Sequence, residues 1–294
     1  MKLLAKYKNG NYDVKIYSDG TRISKTDDDV FHAEFPDNID LKITNKCDIG
    51  CPMCHESSDI NGVHGLLSSE FLNKLHAGTE LAIGGGDAFS HPELHSFLQK
   101  MKAQGVICNI TLNERHLPRY ADEIARLCKS KLLYGIGISV FELNDYTLEF
   151  AKKHSNAVLH CVCGVTDADK LLAADADGLK LLILGFKTHG RGKRYFSGSV
   201  VRKINYFSKV LPMICDKFDV ISYDNLALKQ LHIRERVDEI TWNKTYGGED
   251  GTDNLYVDLV RGVFAMNSRT NEVFPLLPTA EEMLAFIHKR YNIG

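Results

Sequence analysis

The chain has 294 residues, of which 44% are hydrophobic and 25% charged, and a net charge of −2. That length suits one large domain or two small ones, and the composition allows a sizeable buried core, which excludes global disorder. A near-neutral balance gives no field drawing the whole protein to nucleic acid or to an anionic membrane.

In chain order, residues 1–38 read as a small appendage: 3–7 and 12–17 flank Asn9-Gly10, a strong hairpin-turn pair. No long apolar run opens the chain and no stretch of about 18 apolar residues occurs, so neither an export signal nor a membrane span is expected. Eight cysteines without an export signal suggest a reducing compartment, the cytoplasm, where clustered cysteines are metal ligands or reactive thiols before they are disulfides.

From residue 39 short apolar runs alternate with helical stretches. Strands are expected over 39–44, 79–84, 106–113, 132–140, 157–163, 179–184 and 220–223. Helices are expected between and after them, over 68–76, 92–104, 117–129, 144–154, 167–173, 198–216 and 225–237. This alternation predicts parallel β/α units, and residues 39–240 form the core of the fold. Periodicity does not separate a partial or complete barrel from an open doubly wound sheet; in each, ligands bind at the carboxyl ends of the strands. Residues 241–294 break the pattern. A Gly- and acid-rich loop, 245–254, precedes two alternating strands, 255–260 and 263–266. A final helix, 279–291, begins on a Thr cap followed by Glu281 and Glu282.

The chemistry concentrates in Cys47-Asp-Ile-Gly-Cys51-Pro-Met-Cys54, a C-x3-C-x2-C spacing directly after the first core strand. Three thiolates within eight residues can wrap one corner of a cuboidal iron–sulfur cluster, with Gly50 and Pro52 helping the loop to turn. A [4Fe–4S] cluster usually takes four thiolates, so three leave one iron open for chemistry. The rival readings are a Cys3His zinc site with His55, which would make the protein a zinc-stabilised binding module, and thiol redox. Adjacent Cys54 and His55 point apart and no second C-x2-C follows; a redox pair leaves Cys47 unexplained.

The spacing and position resemble the radical S-adenosylmethionine superfamily. The resemblance implies a (β/α) barrel, partial or complete, with the N-terminal hairpin and the C-terminal strand pair plus helix attached. It implies a [4Fe–4S] cluster on Cys47, Cys51 and Cys54 and S-adenosylmethionine as cosubstrate, cleaved reductively to a 5′-deoxyadenosyl radical that modifies an organic substrate. It also implies a reductant such as flavodoxin or ferredoxin. Substrate identity does not follow: a small molecule such as a nucleotide or sugar, or a ribosomally made peptide, remains open. Met53 departs from the aromatic residue that usually precedes the third cysteine.

One β/α unit later, Gly84-Gly85-Gly86-Asp87 resembles the family's Gly-Gly-Glu motif, which meets the cosubstrate's amino group; Asp87 and Ala88 replace its usual Glu and Pro. Asn113 resembles the polar end of the third strand, and Ser139 stands where the family often places a ribose contact, although Ser and Asn at strand ends are also ordinary turn residues. The loop 185–194 holds Lys187, Arg191, Lys193 and Arg194 among three glycines. It is either a solvated basic loop or an anion site, with Lys187 and Arg191 facing a carboxylate or phosphate.

Cys161 and Cys163 share one face of a strand and are hydrogen-atom donor candidates if that face lines the site; Tyr223, with Asp224, is a candidate on position alone. Cys108, Cys128 and Cys215 are expected to pack as small hydrophobes. No cysteine follows Cys215, so no auxiliary cluster is expected.

Overall fold

The computed structural model describes residues 2–293. The appendage is a three-stranded antiparallel sheet rather than a hairpin, made of β1 (Leu3–Asn9), β2 (Tyr12–Tyr17) and β3 (Arg22–Lys25). Gly10, at φ +54°, makes the first turn, and β3 pairs with β2 from Arg22↔Ile16 to Lys25↔Asp13. The third strand is only four residues long, too short for its alternation to stand out in sequence. Tyr12, Val14 and Ile16 point from one face of β2 onto Ile107, so the ribbon covers the amino-terminal end of the core strands.

The large sheet holds ten strands. Seven come in chain order: β4 (Asn38–Thr44), β5 (Glu80–Gly85), β6 (Ile107–Asn113), β7 (Gly135–Ser139), β8 (Ala157–Val162), β9 (Lys180–Leu184) and β10 (Val220–Tyr223). Each is parallel to the next. After β4 the sheet continues with β11 (Asn254–Asp258), parallel to β4, then β12 (Val263–Ala265) and β13 (Phe274–Pro275), both antiparallel. The barrel is therefore partial: β10 and β13 are edges. The C-terminal strands extend the core sheet, a pairing that alternation alone does not reveal.

The helices are α1 (Leu94–Ala103), α2 (Leu117–Lys129), α3 (Asp145–Lys153), α4 (Ala168–Ala173), α5 (Gly192–Tyr195), α6 (Gly198–Cys215), α7 (Asn225–Gln230), α8 (Glu239–Thr245) and α9 (Ala280–Tyr291). A reciprocal capping box of Thr279 and Glu282 starts α9. The helix expected over 68–76 is only a 3-10 turn, Glu70–Asn73, because the turn at Gly78 (φ +96°) arrives before an α nucleus can propagate. The helix expected over 225–237 ends at Gln230, since His232 sits at φ +53° and restarts the chain as a 3-10 turn.

The strands sort their residues by parity. Leu41, Ile83, Ile110, Ile138, Leu159 and Ile183 face the helices and join one buried core with Phe97, Ile124, Leu171 and Phe207. The alternate positions face a lumen that runs through the curved sheet.

Asp37 ties the ribbon to the sheet. Its buried carboxylate accepts from Tyr7 Oη (2.8 Å), Asn9 Nδ2 (2.9 Å), Tyr12 Oη (2.7 Å) and Arg22 Nη2 (3.0 Å). Removing it takes the acceptor from the Tyr7 and Tyr12 hydroxyls and leaves Arg22 with Asp253 as its remaining carboxylate, so Asp37→Ala is expected to destabilise the protein by about 2–4 kcal/mol in urea unfolding. A loss below about 1 kcal/mol would show that the ribbon is held by packing alone.

Candidate metal centre and the lumen behind it

The cysteine loop leaves the carboxyl end of β4. Short bridges Thr44↔His64 and Lys46↔Asp59 draw its two arms together. The Cys47 amide donates to the Asp59 carbonyl (2.7 Å), and the Cys54 amide to the Cys51 carbonyl (3.2 Å), closing a turn over Pro52-Met53. Gly50 sits at φ +67° with open space where a Cβ would be. All three cysteines are free and half-buried. Burial raises the Cys47 and Cys51 thiols, and each is raised further by neighbouring cysteines, so a cation beside them would favour their thiolate forms.

Two neighbouring loops hold this one in place. The Gly86 amide donates to the Thr44 carbonyl (2.8 Å), and the Asp87 amide to the Lys46 carbonyl (2.7 Å). A Cβ on Gly85, at φ +114°, would lie 2.2 Å from the Thr44 oxygen, and one on Gly86 2.2 Å from that of Lys46. Gly84 alone of the three faces open space. On the other side, the Arg191 amide donates to the Cys54 carbonyl (3.0 Å) and its guanidinium to the carbonyls of Cys51 and Ser58 (both 2.8 Å). Gly190 lets this loop approach, since a Cβ there would meet the His55 carbonyl at 2.3 Å; one on Gly192 would meet the Lys187 carbonyl of its own loop at 2.3 Å and that of Met53 at 3.3 Å. Arg191, expected to face an anion, here braces the cysteine loop.

Of the other expected site residues, Asn113 and Ser139 line the chamber beside the cysteines, and Asn113 Nδ2 lies 3.8 Å from Cys51 Sγ. Lys187 also lines it, donating to Ser268 Oγ (2.9 Å). Asp87 is buried and turned away, accepting from Tyr120 Oη (2.7 Å). Cys161 and Cys163 are fully buried on the helix side of the sheet; the lumen face of β8 belongs to Val158, His160 and Val162. Burial pushes the Cys161 thiol well up and that of Cys163 to about 12, and Cys163 donates to Gln230 Oε1 (3.3 Å). Tyr223 packs on Cys215 (3.5 Å), and Asp224 caps α7 through the Ala227 amide (2.7 Å). The structure therefore removes Cys161, Cys163 and Tyr223 as groups facing the site, because strand parity points them at the core.

Sequence reasoning missed several groups. His116 is buried beneath the loop with Nε2 donating to Asp48 Oδ1 (2.5 Å); this bond and that from Arg119 (2.9 Å) hold the Asp48 carboxyl down at about 2. Cys47, Asp48 and His116 are close enough to share an ion, but the carboxylate is already bonded to the imidazole. Below the loop, the Lys42 ammonium bridges Glu56 (2.6 Å) and Asp258 (3.2 Å), and Tyr256 Oη donates to Glu56 (2.9 Å). Burial would raise the Glu56 carboxyl, yet His55 and Lys42 outweigh it and hold it low. The missed signal lay in strand parity: Asn38, Asp40 and Lys42 alternate through a strand that reads as wholly apolar only if both faces pack.

Two cavities share a wall. One, about 200 Å³, is lined by the three cysteines, Gly84–Gly86, Asn113, Ser139 and Arg191. The second, about 540 Å³, continues down the lumen to the ribbon; His55, Glu56, Gly84, Ser139 and Lys187 border both.

The architecture matches that of SuiB from Streptococcus suis. The chain superposes on SuiB bound to the precursor peptide SuiA with a TM-score of 0.59 at 14% identity, covering 86% of this chain and 65% of that one. For SuiB bound to S-adenosylmethionine the values are 0.54, 13%, 80% and 61%. This chain has the SuiB fold. A partial barrel, one of the two forms expected from sequence, is thus the fold observed, and the chain spans just under two thirds of SuiB's length. No sequence family model matches the chain, nor does any curated protein sequence.

The glycine run yields a contrast. Gly85→Val combines a left-handed backbone with a clash on the Thr44 carbonyl and is expected to cost about 2–4 kcal/mol in urea unfolding. Gly84→Ala points into the chamber and should stay within about 1 kcal/mol of wild type. Equal losses would mean that the run is only a strand-to-helix turn.

Proposed function

We propose that the chain is a radical S-adenosylmethionine enzyme: it holds one [4Fe–4S] cluster on Cys47, Cys51 and Cys54 and cleaves S-adenosylmethionine reductively to modify a second, organic substrate. The observation that carries this reading is the cysteine loop itself. Three free thiols, braced from both sides, stand at the carboxyl end of a strand and border a chamber. Their donor chemistry fits the cluster: all soft sulfur, no fourth thiol bordering the chamber, and burial whose effect on the thiols a cation would offset. Support comes also from the shared fold with SuiB, which has been captured with S-adenosylmethionine.

When bound, the cluster would supply one electron and an open iron for the cosubstrate's amino and carboxylate groups. The chain's own residues do the rest. Gly84 leaves the end of β5 bare of side chains, so an ammonium can approach backbone carbonyls there. Asn113 and Ser139 offer side-chain hydrogen bonds at the next two strand ends, suited to a ribose. Arg191 fixes the carbonyls of Cys51 and Ser58, which keeps the thiolates from swinging apart. Substrate enters from the lumen side, past Lys187 and His55, and one electron per turnover comes from a flavodoxin- or ferredoxin-type donor.

A second reading, that the substrate is a peptide, is favoured by the precursor peptide that SuiB binds. Among the described residues no helix is long and apolar enough to cross a membrane.

Anaerobic reconstitution is expected to give about four irons per chain with broad visible absorption that dithionite bleaches. Replacing Cys47, Cys51 and Cys54 together by Ala should abolish both. Arg191→Ala, which frees two loop carbonyls, should lower iron retention, whereas Lys187→Ala should keep it. A colourless wild-type protein, or zinc at one per chain in place of iron, would end this reading.

A further inference from the structure

One sign of charge gathers beside the cysteines. Residues 185–215 hold seven of the chain's 36 lysines and arginines and none of its 38 aspartates and glutamates, in a protein of net charge −2. Two of the seven are engaged, Lys187 with Ser268 and Arg191 with the cysteine loop. The other five, Lys193, Arg194, Arg202, Lys203 and Lys209, are exposed and make no ion pair or side-chain hydrogen bond among the described residues. The same test on the carboxylates of the cysteine loop and of α4 leaves little to offset them. Asp48 pairs with Arg119, and Glu56 with Lys42. Asp59 has no cation and accepts from the Asn61 amide, and Asp169 meets α6 through Tyr206 Oη, one turn past Arg202.

The cations bend around the cysteine loop's outer side. α5 carries Lys193 and Arg194 and starts where the Arg191 amide meets the Cys54 carbonyl (3.0 Å). A Cβ on Gly192 would lie 3.3 Å from the Met53 carbonyl, so the first turn of α5 rests on the turn 51–54, whose Pro52 is exposed. Arg202 Nη1 lies 3.5 Å from the place a Gly198 Cβ would take, so its guanidinium reaches back to the start of α6, away from Tyr206. Between these cations stand Phe196 and Val201, 46% and 41% exposed. The Phe196 ring packs on that of Phe186 (5.8 Å), which lines the cysteine chamber. Apolar side chains rimmed by charge are the anatomy of a transient protein interface, and the rim is basic.

We propose that this bend is the docking surface of an acidic electron-donor protein of the flavodoxin or ferredoxin class, seated over the cysteine loop. The proposal deepens the function proposed above by assigning the face at which the electron arrives; it rests on that reading for the electron, whereas docking is measurable without it. One electron leaves the reduced cofactor of the donor and reaches the metal centre on the three cysteines, and no bond forms or breaks in that step. Encounters of this kind are small and steered by charge rather than held by area, which suits a few cations around an apolar pair. A nucleic acid would be drawn by the same charge but delivers nothing to the thiols.

The experiment compares reconstituted wild type with Lys193→Glu/Arg194→Glu/Arg202→Glu. A ribbon variant, Lys6→Glu/Lys8→Glu/Lys15→Glu, makes the same charge change at the far end of the strands. Iron is measured on each. Binding of a flavodoxin and of a plant-type ferredoxin, both acidic, is followed by isothermal titration at low and high salt. Bleaching of the visible absorption is then timed with reduced flavodoxin and with photoreduced 5-deazariboflavin, a small neutral reductant that needs no docking surface. The α5–α6 variant is expected to keep its iron and its deazariboflavin rate while losing about ten-fold or more in donor affinity and in flavodoxin rate; the ribbon variant stays near wild type, and salt weakens wild-type binding. The proposal is overturned if neither donor binds wild type, if the two variants lose affinity equally or not at all, or if oligouridylate binds the same residues more tightly than either donor. Donor binding that only the α5–α6 variant loses, in protein that takes up no iron, leaves the docking surface standing and removes the cluster reading. Full iron with donor binding indifferent to these residues does the reverse.

Discussion

The guanidinium of Arg191 spans the opening of an unclosed sheet. Its strand, β9, and the cysteine strand, β4, stand five places apart, with no backbone pairing between them. A loop turning as tightly as 51–58 leaves carbonyls without strand partners, and such groups must be satisfied. Arg191 supplies three donors to them, two from its planar side chain and one from its amide. Gly86 and Asp87 secure the loop's other arm by their amides. The position of every thiol depends on this two-sided brace, and so do the chamber that the thiols border and the chemistry proposed there.

Strand parity divides labour through the rest of the molecule. Outward residues are branched aliphatics that pack on the helices and carry the stability of the fold. Inward residues are polar groups or glycine at nearly every second position, from Asn38, Asp40 and Lys42 on β4 to Gly135, Gly137 and Ser139 on β7. A sheet that closed and packed its interior would have no use for such residues. Leaving the sheet open gives the lumen, and the ribbon on Asp37 covers its far end.

Much of this was legible in the sequence because it rests on local signals. Parallel β/α alternation, the cysteine loop after the first core strand, the glycine run one unit later and the capping box at Thr279 each depend on neighbours within a few residues. What escaped depends on contacts between distant segments. Arg191 reads as a free cation until its 140-residue reach to Cys51 is known. Cys161 and Cys163 read as lumen candidates until the register of β8 fixes their face. β11 joins β4 through a pairing that no local pattern encodes. The bond from His116 to Asp48 likewise crosses 68 positions.

The central claim is that the braced thiols serve reductive cleavage of S-adenosylmethionine, and one measurement tests it most directly. Reconstituted protein is incubated anaerobically with S-adenosylmethionine and dithionite, and 5′-deoxyadenosine and methionine are quantified by mass spectrometry beside a Cys51→Ala control. The account predicts both products in wild type, in equal amounts and above the control. Intact S-adenosylmethionine in wild type that carries its full complement of iron would contradict it.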